Sequence, residues 1–185
     1  MEIKRARVLQ NYLDGVMSGE KVITSKKLFK DAKHFFANGD CDLSEDTLMY
    51  EVYSYSEGSA SQVGNLNWGL TVMEPVLVND ECNITRGHFH ENLNCAEFYF
   101  CFHGEGLLVF MDENGKCFAE EMKVGTVHHI DGKLAHRLVN IGNDQLKVGA
   151  CWPTVSGHDY ERVEKHPFTV RIFKEHGIIK IKENR

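Results

Sequence analysis

The chain contains no apolar run approaching the roughly 20 residues that a membrane-spanning helix requires. A helical membrane protein is therefore excluded. The chain also lacks an excess of positive charge, because 21 Lys and Arg stand against 27 Asp and Glu, a formal net charge of −6. A general nucleic-acid binder carries a basic footprint, so that partner class is set aside. An anionic small substrate is not excluded, because a bound metal and a few aimed donors can dominate the local field. None of the six cysteines, at 41, 82, 95, 101, 117 and 151, forms a CxxC pair. Met1 to Val16 is charged, with neither the apolar core nor the small-residue cleavage site of a signal peptide. Reduced thiols in a cytoplasmic protein are expected, without a disulfide scaffold. Internal repeats, low-complexity stretches and long linkers are missing too.

What is present fits one domain over residues 1–185, since a chain of this length with 42% hydrophobic residues can bury a sizeable core. Residues 1–46 read as a charged N-terminal extension. Within it, Leu28, Phe29, Ala32, Phe35 and Phe36 fall at helical spacing, which predicts a helix over Lys26–Asn38 stopped by Gly39. From about Thr47 the texture changes to short β-like runs: Leu48–Tyr55, Asn67–Met73, Ala96–Phe102, Gly106–Met111, Thr126–Ile130 and Lys147–Cys151. Asp112–Gly115, Asp131-Gly132 and Ile141–Asp144 supply tight turns between them. Many short strands at this spacing predict an all-β sandwich or small barrel over residues 47–160. Thr169–Phe173 and Ile178–Ile181 add strands in the 161–185 tail, as edges or as pairing strands for a dimer partner.

The chemistry is concentrated in Thr85-Arg-Gly87-His88-Phe-His90 and Cys95-Ala-Glu97-Phe-Tyr99. On a strand, side chains two apart share a face, so His88 and His90 point the same way. The six residues between His90 and Glu97 allow a loop that returns the chain antiparallel, so that Glu97 meets both histidines. His136 follows the Asp131-Gly132 turn. Three imidazoles and one carboxylate suit Fe(II), Mn, Ni, Co or Zn better than Ca or Mg, and leave positions open for water or substrate. A lone His-x-His reads more simply as two ordinary strand histidines; the spaced Glu97 and His136 reverse that. His128 and His129 are neighbours on a strand, so at most one faces inward, for a substrate-lining or structural role rather than metal ligation.

These stretches resemble the paired cupin motifs, G-x5-H-x-H-x3-4-E-x6-G and G-x5-P-x-G-x2-H-x3-N. Glu97 to Gly104 keeps the expected spacing, and Gly125, His136 and Asn140 fit. The His90-to-Glu97 gap is longer than usual, Asp131 replaces the proline, and Lys133 stands where glycine is expected. The longer gap, in GHFH followed by six residues and E-x-Y, resembles the cupin-type glucose-6-phosphate isomerases known chiefly from archaea. The similarity runs from about residue 50 to 160 through Tyr50–Tyr53, Gly64–Asn67, Thr71-Val72, Pro75, Ala135–Arg137, Val139–Gly142, Pro153 and Gly157–Tyr160.

The resemblance implies a cupin barrel, that is, a double-stranded β-helix, which would act as an aldose–ketose isomerase of glycolysis and gluconeogenesis. It implies one divalent metal, Fe(II) first, on His88, His90, Glu97 and His136, and a homodimer. It implies phosphate contacts from Thr71, Thr85, the Gly87 N–H, Tyr160, Tyr50 and Tyr99, with His158 in the same pocket. Taken singly, these are ordinary strand, core and turn residues. Glu97 is the candidate base that carries a proton between C2 and C1, with a hydride shift open as the alternative. His128–Leu134 lacks the family's proline-rich aromatic element, Trp152 stands where the family has tyrosine, and Cys95 replaces a polar or basic residue. A phosphosugar epimerase, an Fe(II) dioxygenase and a non-enzymatic sugar-phosphate sensor are the alternatives.

Overall fold

The computed structural model describes residues 1–11, 16–59 and 62–184. Residues 12–15 of the expected N-terminal extension and the final residue of the expected domain lie outside these. Among the described residues the strands run, in order, β1 (Val8–Gln10), β2 (Met17–Gly19), β3 (Ile23–Leu28), β4 (Leu48–Ser56), β5 (Leu66–Met73), β6 (Leu77–Val78), β7 (Glu81–Ile84) and β8 (Glu97–His103). They continue as β9 (Glu105–Met111), β10 (Cys117–Lys123), β11 (Val127–Ile130), β12 (Ala135–Asn140), β13 (Leu146–Pro153), β14 (Val170–Glu175) and β15 (Ile178–Glu183). Two short helices, α1 (Phe29–Ala32) and α2 (Tyr160–Lys165), complete the set.

Two antiparallel sheets make the barrel. One has the order β10-β9-β12-β7-β14-β15, with β6 beside β7; the other has the order β11-β8-β13-β5-β4-β3. Side chains from both sheets, including Met49, Met73, Ile84, Leu108, Phe110, Val139 and Val148, form one buried cluster. Each large apolar side chain so buried stabilises the fold by about 1.5–3 kcal/mol. The all-β class and the cupin barrel are as expected.

Several local expectations are corrected. The Lys26–Asn38 helix is only α1, followed by a 3-10 turn over Lys33–Phe35. Lys26 to Leu28 belongs instead to β3, which pairs with β4, and Phe29 and Lys30 donate to the Thr47 and Glu45 carbonyls. Those tertiary bonds outweigh the helical periodicity, which here marks only which residues are buried: Phe29, Ala32 and Phe36. The tail strand β14 pairs within the chain, with β15 along its length and with β7 at Phe173↔Glu81. β14 is thus an inner strand, and β15 stands at the sheet edge, as expected of a tail edge strand.

Candidate metal centre and adjoining cavity

The site begins where β7 ends. Gly87 has a φ of +78°, and a Cβ there would meet the Phe168 ring at 2.8 Å and Arg137 Cβ at 3.0 Å. Only glycine passes this point without strain. The next residues form bridges rather than a regular strand, His88↔His136 and Phe89↔Asp159. His88 and His136 exchange both backbone hydrogen bonds, at 3.2 and 3.1 Å. Phe89 N–H donates to Asp159 at 3.3 Å and its carbonyl accepts from Asp159 at 2.8 Å, which fastens the Gly157–Tyr160 segment beside the histidines. Asp159 also caps α2 by accepting from Arg162 N–H at 3.0 Å.

The return from His90 differs from expectation. The His88–His90 segment pairs toward β12, whereas Glu97 opens β8 in the other sheet, where Ile130 is its partner. The six-residue loop therefore crosses between sheets instead of making a hairpin. His90 and Glu97 still meet, because the two sheets face each other.

His88, His90, Glu97 and His136 offer four ligand atoms that all lie within 4.8 Å of one another. All four residues are buried. His90 Nε2 lies 3.1 Å from Glu97 Oε2, and His136 Nε2 lies 3.3 Å from the same oxygen. The outer nitrogens turn to backbone carbonyls, His90 Nδ1 to Cys95 at 2.7 Å and His136 Nδ1 to Leu134 at 3.4 Å. A proton on each Nδ1 leaves the Nε2 lone pairs facing the centre, the arrangement that orients metal-ligating histidines. His88 Nε2 and His136 Nε2 are buried without a hydrogen-bond partner. Such orphaned atoms cost on the order of 1–3 kcal/mol each, and a cation accepting both lone pairs would remove that cost. The group could hold a metal ion.

Electrostatics agree with this. Burial pushes His88 well below the usual imidazole range, aided by His136, His158 and His90, so it stays neutral. Burial acts against the Glu97 carboxylate too, yet His136 and His90 outweigh it and hold Glu97 below its ordinary value. At His90, burial is outweighed by the bonds to Glu97 and the Cys95 carbonyl, which raise it. An ionised Glu97 carboxylate beside a neutral His88 suits a divalent cation, whose binding would release the proton that Glu97 favours on His90.

A cavity of about 310 Å³ adjoins this group, with His88 and Glu97 on its wall. The structure brings every other sequence-predicted site residue to the same wall: Tyr50, Thr71, Thr85, Gly87, Tyr99, His158 and Tyr160. Thr85 Oγ1 accepts from Leu138 N–H at 3.0 Å, which leaves its own O–H as a donor. Burial raises the Tyr50 phenol to about 12, against a backbone bond from Arg86. Burial likewise raises Tyr99 and Tyr160. All three phenols remain neutral hydrogen-bond donors near neutral pH. His158 sits 4.4 Å from the His88 ring and stacks on Tyr160 at 5.8 Å. Burial lowers it toward the neutral imidazole, against the attraction of Glu97.

Other flagged residues separate cleanly. Trp152 lines the cavity with its ring 6.2 Å from His158. Cys95 contributes its carbonyl to His90 rather than a thiol to the site. His128 is buried but engaged elsewhere, with Glu120 at 2.6 Å and Thr126 at 2.8 Å, and is not on the cavity wall. His129 is exposed beside Phe98, and Lys133 is exposed at the Asp131 turn. Arg86 was missed, although it stands between two predicted contacts, Thr85 and Gly87. A larger cavity, about 510 Å³, lies away from the quartet between the Asp112–Gly115 turn and α2.

The family model described as glucose-6-phosphate isomerase matches residues 26–184. The chain belongs to the glucose-6-phosphate isomerase family. The glucose-6-phosphate isomerase of Thermococcus kodakarensis is 32% identical over 188 residues, covering all of this chain and 97% of that one. That of Pyrococcus furiosus is 34% identical over 140 residues, covering 76% and 73%. Among solved structures, an oxalate oxidase aligns with a TM-score of 0.44 at 14% identity, covering 57% of this chain and 60% of that one. The oxalate decarboxylase of Bacillus subtilis aligns with 0.47 at 16%, covering 60% and 26%. Family membership implies a phosphosugar substrate, and no helix among the described residues is long and apolar enough to cross a membrane.

Proposed function

We propose that this chain is a metal-dependent isomerase that interconverts glucose 6-phosphate and fructose 6-phosphate. The observation that carries the reading is a buried His88–His90–Glu97–His136 quartet, with two orphaned nitrogens, opening on a hydroxyl-lined cavity. The three-nitrogen, one-oxygen ligand set suits Fe(II), Mn, Ni, Co or Zn, and the family resemblance puts Fe(II) first. A cytoplasmic homodimer belongs to the same reading.

Thr71, Thr85, the Gly87 N–H, Tyr50, Tyr99 and Tyr160 would bind the phosphate as neutral donors, with His158 closing the pocket. A divalent cation in the quartet would supply Lewis acidity at the C1 and C2 oxygens of the open-chain sugar. Glu97 would take the proton from the carbon beside the carbonyl and return it to the neighbouring carbon, through an enediolate. His136 and His90 hold it ionised, so it is unprotonated before the step, at the cost of a weaker base. Burial excludes bulk water from the quartet and strengthens each of these interactions.

The test is proton nuclear magnetic resonance of fructose 6-phosphate turnover in deuterium oxide, using protein reloaded with each metal in turn. Glucose 6-phosphate carrying deuterium at C2, abolished by chelator and by Glu97→Gln, is the expected result. Glucose 6-phosphate formed without deuterium would rule out a base that exchanges with solvent and leave a shielded base or a hydride shift. No product with any of the five metals would overturn the isomerase reading.

A further inference from the structure

The donors assigned above to the phosphate are all neutral, whereas a sugar phosphate is close to a dianion at neutral pH. Among the described residues lining the cavity, Arg86 is the sole Lys or Arg. It follows Thr85 and precedes Gly87, so a hydroxyl, a guanidinium and a backbone N–H come from three consecutive residues.

The present partners of Arg86 are weak ones. Its Cζ lies 4.5 Å from the centre of the Tyr160 ring, and Nη2 donates to Glu164 on α2. The Arg86 and Glu164 side chains keep 33% and 52% of their exposure, so solvent screens the pair. Nε is buried with no hydrogen-bond partner. A guanidinium with an unused donor, held on the cavity wall by a screened carboxylate, is available to a better anion. Phosphate is that anion, because its oxygens match the guanidinium fork in charge and geometry.

We propose that Arg86 is the cation that recognises the substrate phosphate, and that Glu164 holds its place in the ligand-free protein. On binding, the guanidinium exchanges the Glu164 carboxylate for phosphate while staying over Tyr160. Glu164 therefore competes with the ligand and sets its affinity without touching it. The sugar portion of this statement rests on the isomerase reading; the phosphate portion does not.

Calorimetric titration of the metal-loaded protein with inorganic phosphate tests it, alongside Arg86→Gln, Arg86→Lys and Glu164→Gln. Arg86→Gln weakens phosphate by about tenfold or more, the usual scale for a charge-assisted hydrogen bond, and Arg86→Lys falls between it and the parent. Glu164→Gln tightens phosphate by about two- to fivefold, as expected for release from a screened ion pair. The KM for fructose 6-phosphate follows the same order, with kcat moving less. Misfolding cannot produce tighter binding, so Glu164→Gln guards against a merely structural effect. Phosphate affinity within twofold in Arg86→Gln, or no tightening in Glu164→Gln, overturns the assignment even if isomerase activity is intact. Phosphate binding in the expected order without sugar turnover keeps Arg86 and overturns the isomerase reading instead.

Discussion

The backbones of His88 and His136 exchange two hydrogen bonds, at 3.2 and 3.1 Å. Two imidazoles distant in sequence are thereby set edge to face, with ring centres 4.4 Å apart and planes 65° apart. The pairing is a backbone fact, so the metal group is preorganised by the barrel rather than gathered by the ion. Their orphaned Nε2 atoms are a cost that the barrel already carries.

Metal binding should therefore raise stability without altering the fold. At a free metal concentration 100-fold above Kd, linkage contributes about 2.7 kcal/mol. For a chain of this size that corresponds to about 5–10 °C in Tm. Differential scanning calorimetry with and without chelator measures it. A melting temperature indifferent to all five candidate metals would count against the quartet as a metal site.

Gly87 is a second point of leverage. Replacing it by alanine puts a methyl 2.8 Å from the Phe168 ring at a φ of +78°. A loss of about 1–3 kcal/mol in stability is expected from the combined strain and overpacking. Because His88 follows directly, metal affinity should fall with it. Urea unfolding and metal titration of Gly87→Ala check both effects, and unchanged metal affinity would separate the turn from the centre.

Trp152 and Gly69 are matched in size. A Cβ on Gly69 would meet Trp152 Cζ3 at 2.8 Å, so the indole occupies space that the missing side chain leaves. Gly69→Ala should destabilise the protein by about 1–3 kcal/mol and raise the KM for sugar phosphate. Trp152→Tyr in the same chain should recover about half of the stability loss, since contacting residues couple. A double-mutant cycle on Tm and KM reads this coupling, and strict additivity would contradict it.

The tyrosines give a pH prediction. Tyr50 is raised from 10 to about 12 by burial, with the Arg86 backbone acting against it. A group whose folded pKa is raised contributes stability that is present below its unfolded value and lost as pH rises through its folded value. The Tyr50 contribution is thus intact at neutral pH and lost between about 10 and 12. Ultraviolet difference titration should show a late-ionising group of buried phenols, and Tyr50→Phe should remove one of them near the end of that range.

How much of this was legible in the sequence depends on burial pattern. His88, His90, Glu97 and His136 were readable because ligand chemistry needs particular residue types at particular spacings. The seven cavity residues were readable only jointly, through the family resemblance, since a threonine or tyrosine on a strand has no signature of its own. Strand β7 escaped because every residue in it is buried, leaving no alternation to see. Strand β10 escaped for the opposite reason, as a mostly exposed, charged edge. The Lys26–Asn38 helix was overread because three aromatics at helical spacing also suit a short turn laid on a core. Arg86 could have been found by asking which cation neutralises the proposed phosphate.

The most direct measurement is a metal titration of the stripped protein, following fructose 6-phosphate turnover and Tm in parallel. The account predicts that both rise together and break at one equivalent of metal per chain, and that His136→Ala loses both. Turnover that appears without metal, or that persists in His136→Ala, would contradict a metal-dependent isomerase centred on the quartet.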